Sequence, residues 1–136
     1  MLKILRSLFF AVVLASSCTA SGEDAAWGYA AQIEDARGIR VTVILQHSAL
    51  VAKELDFLLI LETHTHALND DLTKSAVLIA DGRQYLPLGW QGAPPGGHHR
   101  KGELRFKAIV PQPSVLELQL RLAGDPSPRS FKWQVR

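Results

Sequence analysis

A chain of 136 residues with 47% apolar content and a formal net charge of +2 holds one domain with one core and excludes a second. Its single cysteine excludes an intrachain disulfide, so the core alone must stabilise the fold.

The first organised feature is an export signal over residues 1–17. Lys3 and Arg6 form a positive n-region, Leu8 to Ala15 (LFFAVVLA) an apolar h-region, and the small residues Ser16 and Ser17 follow. This apolar run falls well short of the ~20 residues that a membrane-spanning helix needs. Cys18 stands directly behind Ala15-Ser16-Ser17, a pattern that resembles a bacterial lipobox, although leucine lies one place early at Leu14. Lipidation of Cys18 would hold the protein on a membrane, each buried CH₂ contributing ~0.8 kcal/mol. Cleavage by the ordinary signal peptidase after Ala20 is the competing reading. Removing the signal also removes Lys3 and Arg6, leaving thirteen basic against thirteen acidic residues, so the pI near 8.9 overstates the mature chain's basicity. Residues 18–26 then form the lipidated cysteine and a tether, and residues 27–136 the folded domain. A lipid at Cys18 implies a cell-envelope location, at the outer membrane in a diderm host, where Thr19 rather than aspartate follows the cysteine. Without the lipid the protein is periplasmic or secreted.

The mature region breaks into short runs with period-two patterning, separated by Gly, Pro, Asn and Asp. A strand is expected around Tyr29 to Ile33. Ile39, Val41, Val43 and Leu45 form one inward face, and Leu55, Phe57, Leu59 and Leu61 the next. Val77 to Ile79 and Tyr85-Leu86 are joined through Asp81-Gly82, a dipeptide suited to a tight hairpin turn. Leu104, Phe106 and Ala108 alternate with polar residues, as do Leu116 to Leu122 and then Phe131, Trp133 and Val135. The sum is an all-β fold: a single immunoglobulin-like β-sandwich of seven to eight antiparallel strands, with an open barrel as the alternative because periodicity does not fix topology. Gln91 to Gly102, rich in proline and glycine, is expected to be one long loop. The basic residues of the last third, Arg100, Lys101, Arg105, Lys107, Arg121, Arg129, Lys132 and Arg136, read as a solvated face and not as a nucleic-acid groove.

Four histidines fall in two groups, His64 with His66 and His98 with His99. If the strand from Leu55 continued through the first pair, both imidazoles would share a face with Glu62. His98 or His99 could then close a zinc or copper site, with Asp70 and Asp71 nearby. The competing expectation is that one or two of these rings hydrogen-bond loop backbone and hold the glycine-rich segment, while the rest face solvent. His47 reads as polar surface. A hydrolytic site could be written from His64, His66 and His98 with Glu62 as base, but no spacing rule links the two groups. There is no Gly-x-Ser-x-Gly elbow, phosphate loop or His-Glu-x-x-His helix, so no enzyme is expected. Trp90 and Tyr85 could line a carbohydrate or peptide cleft, though aromatics beside a β-turn more often cover the edge of a core.

Glu62-Thr63-His64-Thr65, the hairpin from Asp81 to Pro87 with Trp90, Gly96-Gly97-His98-His99-Arg100 with Gly102 and Leu104-Arg105-Phe106, and the closing Phe131-Lys132-Trp133 occur in that order. In this the chain resembles, over roughly residues 41–135, a family of uncharacterised exported bacterial proteins with a Gly-Gly-His-His-Arg loop. The resemblance implies an immunoglobulin-like sandwich and no particular activity. In the family pattern serine and an apolar residue follow the first histidine, so His66 departs from it, and a site on His64, His98 and His99 fits better. Two functions are therefore expected to compete. One is a non-catalytic, envelope-anchored binding or accessory module with a protein partner and no resident cofactor. The other is a periplasmic metal-binding protein using zinc or copper.

Overall fold

The computed structural model describes residues 29–46 and 53–135. The export signal, Cys18, the tether and His47 lie outside the described residues. Among the described residues nine strands form two antiparallel sheets. The strands are β1 (Gln32–Ala36), β2 (Ile39–Leu45), β3 (Glu54–Thr63), β4 (Ala76–Ala80), β5 (Arg83–Tyr85), β6 (Gly89–Gly92), β7 (His99–Lys107), β8 (Val115–Leu120) and β9 (Arg129–Gln134), with one helical turn, α1 (Leu72–Ser75), before β4. One sheet runs β1-β2-β3-β7-β6 and the other β5-β4-β8-β9.

In immunoglobulin lettering β2, β3, β7 and β6 occupy the places of A, B, E and D, and β5, β4, β8 and β9 those of C′, C, F and G. β1 adds an edge strand. The sandwich is thus immunoglobulin-like, with nine strands where seven to eight were expected. The additional strand is β6 (Gly89–Gly92), where the chain, having left one sheet after Tyr85, joins the other.

Strict alternation builds the core. Val41, Val43, Leu45, Leu55, Phe57, Leu59 and Leu61 of the first sheet face Leu78, Leu116, Leu118, Leu120, Phe131 and Trp133 of the second, all buried. Each fully buried Leu or Phe side chain contributes ~1.5–3 kcal/mol. Phe57 sits at the centre, edge-on to Phe106 at 5.7 Å and against Trp133 at 5.3 Å between ring centroids. The expected hairpin is present: β4 pairs with β5 through Asp81 and Gly82, whose φ angles of 50° and 74° are the left-handed conformations a two-residue turn requires.

Three expectations need correction. The first strand begins at Gln32, later than the Tyr29 to Ile33 estimate. β3 ends at Thr63, so His64 and His66 lie in bends beyond the strand and share no strand face. The glycine-rich loop is shorter than Gln91 to Gly102: Gln91 and Gly92 belong to β6, and His99 to Gly102 belong to β7. Backbone pairing of Gly92 with Gly102 continues the ladder where side-chain patterning is silent, which leaves only residues 93–98 as loop.

Candidate functional site

Strand register brings four connections to one end of the sandwich. These are the β1–β2 turn at Arg37-Gly38, residues 64–75, residues 93–98 and residues 121–128. All four follow or precede strand ends that lie side by side, since Ile39 pairs with Thr63, Glu62 with His99, and Leu120 with both Ala76 and Arg129. In immunoglobulin terms this end carries the B–C, D–E and F–G loops.

The loops are held by backbone. Thr63 N donates to His98 O (3.0 Å), Leu68 N to Gly97 O (3.0 Å), and Gly96 N to Leu68 O (2.8 Å), so the 93–98 loop is zipped along the segment after β3. Leu68 and Leu72 are buried and pin that segment to the core, while the Asp71 carboxylate caps α1 by accepting from Thr73 N at 3.0 Å. The hydroxyl and backbone bonds from Thr73, with burial opposing them, hold the Asp71 carboxyl below its ordinary value.

Behind the loops lies a group that the sequence reading placed in solvent. Arg100 is 1% exposed. Its Nη1 donates to Leu68 O (3.2 Å) and Asp70 O (2.7 Å), its Nη2 to Ala93 O (3.4 Å), and its guanidinium lies over the Trp90 ring. Burial pushes the Arg100 guanidinium below the ordinary arginine value, and the charges of Asp70 and Asp71 pull it back up. Arg129, 3% exposed, does the same for the neighbouring loops. It donates to Ile39 O (2.7 Å) and Ala36 O (3.0 Å) and is paired with the buried Asp125 (3.0 Å). The expectation of a solvated basic face is therefore wrong for Arg100 and Arg129, because both occupy inward positions on their strands. It is these arginines and the main chain, not histidine side chains, that hold the glycine-rich segment and its neighbours.

The histidines divide differently from the expectation. His64, His98 and His99 are exposed and line one cleft of about 560 Å³, together with Arg40, Glu62 and Thr65. His99 lies across the ladder from Glu62, with Nε2 4.0 Å from Oε1. His66 is turned away. Its Nε2 meets Arg37 O at 3.1 Å, and it lines a second cleft of about 580 Å³ with Asn69, Asp70 and Asp125. Thr63 explains the divergence: its hydroxyl donates to Gly38 O (2.7 Å) and accepts from Thr65 N and His66 N, curling the chain at the strand end.

No family model, curated protein or solved structure matches this chain. The site is therefore read from its chemistry. Among the described residues no three His, Cys, Asp or Glu side chains are placed to hold one metal ion. Three imidazoles, the guanidinium of Arg40 and the Thr65 hydroxyl offer donors and acceptors around a cleft open to solvent, with Asp35 and Glu62 on its walls. Asp35 engages Arg40 at 3.0 Å. Among the described residues no serine or cysteine lines the cleft. Trp90 and Tyr85 are half-buried against the core, and Trp90 lies under Arg100 and donates to Ala93 O (2.9 Å).

Proposed function

We propose that this chain is an exported cell-envelope protein, anchored to a membrane through a lipid on Cys18, whose sandwich acts as a non-catalytic binding or accessory module. The observation that carries the reading is the convergence of four connections on one end, where His64, His98 and His99 border a single open cleft and the buried Arg100 and Arg129 hold the connecting loops. A rigid base under exposed polar loops is how sandwiches of this topology present binding surfaces.

Two measurements test it. Cys18→Ala should release the protein from the membrane fraction and remove the acyl mass; unchanged fractionation and mass would overturn the anchor. A photo-crosslinking residue at position 64 or 98 should capture a discrete envelope partner in cells that one at Gln84, on an edge strand of the other sheet, does not capture. Equal capture from both positions, or none from the loop end, would overturn the binding role.

The second reading is a zinc or copper site on His64, His98 and His99, favoured by their shared cleft. It loses His66 as a ligand, since that ring faces the β1–β2 turn.

A further inference from the structure

The opposite end of the sandwich has a different chemistry. There the 108–114 connection joins β7 to β8, bonded through Ala108 N to Lys53 O (3.0 Å), while Ser114 O accepts from Val135 N (2.8 Å). Val110 is 89% exposed at its tip, and Val115, at the start of β8, is 44% exposed. Lys53 and Lys107 flank this connection and are exposed as well, while Glu54, the register partner of Lys107, is engaged by Arg105 at 3.6 Å. Apolar side chains projecting beside lysines suit the boundary between acyl chains and anionic headgroups.

The course of the chain says what covers this end. β1 ascends from Gln32 to Ala36 at the histidine-bearing end, so the preceding residues enter from the side of the base. Only residues 19–28 separate Cys18 from the first described residue, Tyr29, eleven residue steps that span at most ~40 Å when fully extended. The ten-residue strand β3 is itself about 33 Å long, so even fully extended this tether is comparable to the height of the sandwich.

We propose that the base, through Val110, Val115, Lys53 and Lys107, docks on the lipid surface to which Cys18 is attached, directing the histidine cleft away from the membrane. The proposal rests on the lipid anchor given under the proposed function. It is tested by hydrogen–deuterium exchange of the lipidated protein on phosphatidylethanolamine–phosphatidylglycerol vesicles, compared with the Cys18→Ala protein in solution. Amides of residues 108–115 should exchange about tenfold more slowly on vesicles, and those of 64–68 and 93–98 at unchanged rates. Val110→Asp should still float with vesicles yet lose the protection. Unslowed exchange at 108–115, or slowing at the histidine loops instead, would overturn the docking. Failure of the unsubstituted protein to float would overturn the anchor. Docking is then read by the same exchange measurement on a chain beginning at Cys18, its thiol coupled to a maleimide lipid, with the same two outcomes deciding it.

Discussion

The Arg100 guanidinium carbon stands 5.6 Å from the centre of the Trp90 ring, a buried cation against an aromatic face. With its bonds to Leu68, Asp70 and Ala93, this side chain joins the segment after β3 to the loop before β7. Arg100→Ala should lower stability by about 3 kcal/mol, since three carbonyls lose a charged donor and a cavity opens. Arg100→Lys keeps the charge but loses the planar fork, and should still cost about 2 kcal/mol. Urea unfolding midpoints measure both, and a lysine variant as stable as the parent would contradict the role of the fork.

Gly102 lies beneath the same indole. A Cβ there would stand 2.6 Å from Trp90 Cζ2 and 2.7 Å from Gln91 O, so Gly102→Ala must displace the ring or spread β6 from β7. The expected cost is about 2 kcal/mol. Near-ultraviolet circular dichroism should change with it; an unchanged spectrum and midpoint would count against the packing described.

Acid should weaken the other clamp. Burial raises the pKa of Asp125, but bonds from Arg129 and Leu122 N, with the charges of Arg129 and Arg37, outweigh it and hold the carboxyl below its ordinary value. A depressed folded-state value means this stabilisation is complete above the ordinary aspartate value of ~3.9 and is lost as pH falls through the lowered one. Thermal midpoints should therefore fall below about pH 4, and Asp125→Asn should flatten that limb. Asp125→Ala, which leaves Arg129 buried and unpaired, should cost about 3 kcal/mol at neutral pH.

Calorimetric titration with zinc and with copper separates the two functional readings. The geometry predicts no stoichiometric heat of tight binding, because no three ligating side chains among the described residues are placed to hold one ion. One-to-one heat that His64→Ala abolishes would establish the metal reading instead.

Much of the site's frame was readable from alternation, including parts that were misread. Arg100 has the same parity as the inward Gly102, Leu104 and Phe106, and Arg129 the same as Phe131, Trp133 and Val135. Counting their charges suggested solvent, whereas their positions on the strands pointed to the interior. The histidines were less accessible to such reasoning. A run such as Thr63 to His66 carries no signal for where a strand stops, and the stop here depends on Thr63 meeting Gly38, far away in sequence.

Sequence by itself determined the layered all-β architecture, because period-two burial is a local property that each strand carries in its own residues. It also determined the Asp81-Gly82 hairpin, where two adjacent residues supply the backbone angles that the turn needs. Only the tertiary structure decided which histidines share a cleft and which lysines and valines share an end. Those groupings depend on strand order and on hydrogen bonds between loops, such as Thr63 N to His98 O, that join residues with no local relationship.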